Sequence, residues 1–114
     1  MRPGHTTPNE FEIEILQHLA TQDPAIRPFL SDLHVLSRKY TGVGCFIEFH
    51  NHAVDEHHET CDLALNATIV VPGVLHGLGA VLFPKNGRPD RLEIYTFGEE
   101  QWDGRSDGFS IKNA

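Results

Sequence analysis

Residues 37–52 read SRKYTGVGCFIEFHNH, and the hydrophobic period changes inside them. From Tyr40 onward the period is two. Val43, Cys45, Ile47 and Phe49 fall on one side, and Phe46, Glu48, His50 and His52 fall on the other. Such alternation marks a half-buried strand. The residues before Tyr40 follow a helical rhythm instead. The stretch therefore divides the chain into a helical N-terminal part and a strand-forming remainder.

Upstream, TPNEFEIEILQHLA (7–20) carries strong start signals. Thr7 stands at a capping position and Pro8 at the first helical position. Glu10 follows Thr7 by three residues and completes a capping box. Phe11, Ile15, Leu16 and Leu19 then line one face. TQDP (21–24) breaks the helix, and Asp23-Pro24 repeats the start signal. Ile26, Phe29, Leu30, Leu33 and Leu36 follow at helical spacing, which predicts a second helix. Its end would carry Ser37-Arg38-Lys39, where positive charge suits the helix dipole. Pro28 removes an early hydrogen bond and distorts the first turn.

Downstream, Leu63, Leu65, Ala67, Ile69 and Val71 form a second alternating set that ends at Pro72-Gly73. VLHGLGAVLF (74–83) is a third strand, in which Gly77 and Gly79 point to a bulge or close packing. Asn86-Gly87 is a hairpin turn signal, and RLEIYTF (91–97) is the fourth strand. Residues 98–114 read as a loop-rich tail pinned by Trp102 and Phe109. Strands joined by short turns are antiparallel. The expected fold is a single α+β domain over 1–114. Two N-terminal helices would pack on a mostly antiparallel sheet of about four strands.

Composition narrows the function classes. The chain has 114 residues, 39% hydrophobic and 22% charged, so it can bury a core rather than stay disordered. No apolar run approaches the length of a membrane span. Its formal net charge of −7 disfavours nucleic acid and acidic membranes as partners. MRPGHTTPNE (1–10) lacks the apolar middle of a secretory signal, so a cytoplasmic location is expected. Cys45 and Cys61 are too few for a disulfide framework and read as small buried side chains.

EFHNHAVDEHHETC (48–61) holds four of the eight histidines. Glu48, His50 and His52 share a strand face, and imidazole with carboxylate suits zinc, iron, nickel or manganese. GCFIEFHNHAVDE (44–56) has glycine, five residues, His-x-His, three residues and Glu. It resembles the first metal motif of the cupins. That resemblance implies His50, His52 and Glu56 as metal ligands on a β-barrel. The chain departs from the pattern, however. Leu63 stands where a closing glycine belongs, Pro72, Gly73 and His76 are wrongly spaced for a second motif, and the first forty residues read as helices. The match is read as coincidence and the segment as a polar connection. Divalent metal binding remains the alternative, and no other cofactor is expected.

GLGAVLFPKNGRPDRLEIYTFGEEQW (77–102) combines a Gly-rich strand, a G-R-x-D turn, an LE-x-Y strand and a tryptophan. It resembles the ending of many small bacterial proteins of unknown function, some of them immunity-protein-like. Leu92 and Ile94 would fill the core, while Glu93, Tyr95 and Trp102 could form an exposed recognition patch. Phe46 and Val70 point to the sheet's second face, which favours a protein partner or a homodimer. An acidic module of this kind complements a basic partner. His76 and Glu93 are equipped for acid–base work, and Cys45 or Cys61 for nucleophilic work. No nucleophile elbow, phosphate loop or dinucleotide fingerprint accompanies them, so a non-enzymatic binding role is expected and no catalytic residue is assigned.

Overall fold

Helix α1 spans Glu10–Leu19, and its capping box is built on Asn9 rather than Thr7. The Glu12 amide donates to Asn9 Oδ1 at 2.8 Å, and the Asn9 amide donates to Glu12 Oε1 at 2.9 Å. Glu12 is held in that register by a second partner, Arg38, described below. Phe11, Ile15, Leu16 and Leu19 are buried along one face, as their spacing predicts. This computed structural model describes residues 7–50, 64–85 and 88–113, without the side chains of Asp32, His50, Glu99 and Asn113.

The second helix is shorter and tighter than its apolar spacing predicts. Asp23 caps it and Pro24–Asp32 form a 3-10 helix, with Pro28 inside. Proline supplies no amide hydrogen, so a regular α-helix could not run through it. Ile26 is fully buried, and Leu30 packs against the core. The chain is extended again from His34.

Among the described residues six strands form one sheet: β1 (His34–Tyr40), β2 (Gly44–His50), β3 (Leu65–Val70), β4 (Leu78–Lys85), β5 (Arg88–Thr96) and β6 (Ser110–Asn113). Their order is β1-β2-β5-β4-β3-β6, and every pairing is antiparallel. The α+β class holds, but the expected four strands are β2 to β5 only. β1 was hidden by a β-bulge. Val35 pairs with Phe49 and Ser37 with Glu48, which leaves Leu36 as the extra residue. The bulge puts Val35 and Arg38, three residues apart, on the core side of β1, and that step imitates helical spacing. Leu36 is 63% exposed, whereas a helix would have buried it.

β4 and β5 pair down to Lys85 and Arg88, which flank the predicted turn. Asn86-Gly87 itself lies outside the described residues. The tail is partly ordered into β6 and returns to the body. The Trp102 amide donates to the Gly42 carbonyl at 2.9 Å. Phe11 meets Phe109 edge-on at 4.8 Å between ring centroids.

The core lies between α1, the 3-10 helix and one face of the sheet. Cys45, Ile47, Phe49, Ala67, Ile69, Leu78, Ala80, Leu82, Leu92 and Ile94 alternate into it. Among the described residues no helix is long and apolar enough to cross a membrane.

Candidate functional site

The same alternation that fills the core leaves a second set of side chains on the opposite face. Ser37 and Lys39 come from β1, Phe46 and Glu48 from β2, and Arg91, Glu93 and Tyr95 from β5. Val81 and Phe83 on β4, Asn66, Thr68 and Val70 on β3, and Ser110 and Lys112 on β6 also belong to it. α1 and the 3-10 helix Pro24–Asp32 pack on the other side, against buried residues. Phe46 and Tyr95 are each 38% exposed, and Val70 is 40% exposed. Phe97, just beyond β5, is exposed beside them.

Several of these side chains are held in place. The Arg91 guanidinium lies 4.8 Å from the centre of the Phe83 ring, a cation–π contact. Arg91 Nη2 is also 3.4 Å from Glu93 Oε2. The Ser37 hydroxyl donates to Glu48 Oε1 at 3.3 Å. Tyr95 lies across Gly79, its cross-strand partner. A Cβ at Gly79 would fall 2.5 Å from Tyr95 Cζ. The Tyr95 ring then meets Phe97 edge-on at 5.5 Å. Ser37, Lys39, Phe46, Glu48 and Arg91 surround a shallow hollow of about 620 Å³.

No family model, curated protein or solved structure matches this chain. Its function must be read from its own residues.

Glu93 and Tyr95 share the open face, two residues apart on β5. Trp102 does not join them. It is only 6% exposed and packs on the helix side, 6.2 Å from both Phe11 and Tyr40. Its indole N–H donates to the Arg105 carbonyl at 2.8 Å, so both its ring and its polar edge are used structurally. His50 ends β2, and its register partner is His34 on β1. The His50 side chain, His52, Glu56 and Cys61 lie outside the described residues. Among the described residues no group of three or more His, Cys, Asp or Glu could hold a metal ion. Lys39, Phe83, Arg91 and Lys112 escaped sequence reasoning. Arg91 and Phe83 were open to it through the period-two pattern, whereas the bulge concealed Lys39 and the shortness of β6 concealed Lys112.

A second polar cluster lies beneath α1. Glu12 is buried and accepts two hydrogen bonds of 2.7 Å from Arg38, through Nε and Nη2. Hydrogen bonding to Glu12 holds the Arg38 guanidinium above its ordinary pKa, against the opposing effect of burial. A cavity of about 240 Å³ adjoins the pair, lined in part by Phe11, Tyr40, Cys45 and Trp102. Burial pushes the Cys45 thiol up, and the Glu12 carboxylate adds to the shift. Arg38, the Lys39 backbone and Tyr40 oppose it and lose. Cys45 is thus a neutral buried thiol, unlike the thiolate that nucleophilic chemistry needs. Burial likewise raises the Tyr40 phenol. His76 is exposed in the β3–β4 connection. Its amide donates to Glu100 Oε1 at 2.8 Å, and the Leu75 amide donates to Glu100 Oε2 at 3.0 Å. Those two donors hold the Glu100 carboxyl below its ordinary value. Glu100 is therefore a clamp on the β3–β4 turn.

Proposed function

We propose that the chain is a non-enzymatic protein-binding module whose working surface is the open face of the sheet. The observation that carries this reading is the set Phe46, Val70 and Tyr95. These are three large side chains, each more than a third exposed on one sheet face that neither α1 nor the 3-10 helix Pro24–Asp32 covers. Exposed large apolar side chains spread over one face among charged ones are what partner surfaces present. The C-terminal resemblance to immunity-like bacterial proteins agrees with it. A photo-reactive phenylalanine analogue placed at Phe46, with a second at Gln17 on the exposed side of α1, tests it in the producing cell. Adducts from position 46 but not 17 are expected. Absence of any protein adduct at position 46 would sink the reading.

A second reading, divalent metal binding through His50, His52 and Glu56, is favoured by one observation. The register sets His34 directly opposite His50. Cross-strand partners are about 5 Å apart at Cβ, which lets two imidazoles reach one cation. Titration of chelator-treated, tag-free protein with zinc and nickel decides this. Binding tighter than micromolar that weakens in His34→Ala and in His50→Ala would support it. Binding unchanged in both would remove these residues from the site.

A further inference from the structure

We infer that the occupant of the open face is a second copy of this chain, packed sheet against sheet. The inference rests on the protein-binding reading and adds the identity of the partner. Its first support is the distribution of charge. The chain carries −7 overall. The open face carries Lys39, Arg91 and Lys112 against Glu48 and Glu93, so its own charge is close to balance. Among the described residues, Glu10, Glu14, Asp103 and Asp107 lie off it, on α1 or in loops. A strongly basic partner would find no complementary field on this face, whereas two copies can meet there without juxtaposing their net charge. Both signs are present, so each copy offers carboxylates to the other's cations.

Size and order give the second support. Six strands spaced by about 4.8 Å, each about seven residues long at roughly 3.3 Å per residue, project to about 550 Å². Two such faces bury about 1,100 Å², just above the threshold for a specific interface. An area of that size belongs with reversible dimers rather than obligate ones. The face is also pre-ordered. Arg91 is held between Phe83 and Glu93, and Tyr95 is held against Gly79 and Phe97. These two side chains have little freedom left to lose on docking.

Sedimentation velocity on the full chain, over a concentration series from about 5 µM to about 500 µM, tests the inference. A monomer–dimer equilibrium built on the 12.8 kDa chain is expected. Raising the salt from about 20 mM to about 300 mM should not weaken it, because the face is close to charge balance and screening relieves the long-range repulsion between two acidic copies. A basic partner would show the opposite trend. Phe46→Asp and, separately, Val70→Asp should give monomers with unfolding transitions close to wild type, while Gln17→Ser should dimerise normally. A wild type that stays monomeric throughout overturns the inference, as does a dimer that survives both face variants. If the chain is monomeric yet position 46 cross-links to a protein of another mass, self-association fails and the protein-binding reading stands.

Discussion

Glu12 does three things with one carboxylate. It closes the capping box with Asn9, anchors Arg38 on β1, and by its charge helps keep Cys45 a thiol. These roles separate chemically. A glutamine at this position can still complete a capping box, but it cannot pair as an anion with Arg38. Glu12→Gln should therefore destabilise the fold by about 2 kcal/mol in urea titration. This falls below the full penalty for a broken buried pair because the Arg38 side chain is 21% exposed and can recruit water. Replacing both partners with apolar residues, Glu12→Leu with Arg38→Met, should recover much of the loss. A double variant no better than the single one would show that the pair supplies more than mutual neutralisation. The sequence shows Glu12 only as one more acidic residue in the first turn. Its partner Arg38 was hidden because β1 was hidden.

At the scale of elements, α1 and strands β2 to β5 were legible because their periods are clean over seven or more residues or bounded by turn residues. β1 was not, since one bulged residue turns a period of two into an apparent three. β6 was not, since four residues against a single neighbour leave almost no pattern. The same limits governed the site. Glu93 and Tyr95 could be placed on one face from alternation alone, but nothing local tells that Trp102, past the end of β5, folds back to the other side. Two glycines on β2 and β4 test how the sheet is built. A Cβ at Gly44 would run into the Ile94 carbonyl oxygen, which belongs to the β5 backbone and cannot yield. A Cβ at Gly79 would meet the outer end of the Tyr95 side chain, which can swing into solvent. Gly44→Ala should thus cost about 2 kcal/mol by thermal or urea unfolding. Gly79→Ala should change stability by less than about 1 kcal/mol, since the strand gains from losing glycine what it loses in repacking. It should nevertheless weaken self-association by displacing Tyr95. Equal penalties at the two positions would contradict this picture of the sheet.

For the whole molecule, the two sides of the sheet have different jobs. One is filled by α1, the 3-10 helix and the returning tail, so its aromatic residues, Phe11, Phe109 and Trp102, are spent on packing. The other keeps its aromatic residues for contact. Among the described residues, acidic side chains such as Glu10, Glu14, Asp103 and Asp107 lie on α1 or in loops rather than on this contact face, which keeps its own charge near balance where two copies would meet. The bulge at Leu36 also bears on what the assembly can become. β1 is an outer strand of the sheet, and a flat outer strand is a template on which further chains can add without limit. The extra residue, with Lys39 beside it, roughens that border. Growth along the hydrogen-bonding direction is blunted there, while stacking two faces uses up both contact surfaces at once. The protein is thereby biased toward a pair that stops at two rather than a filament.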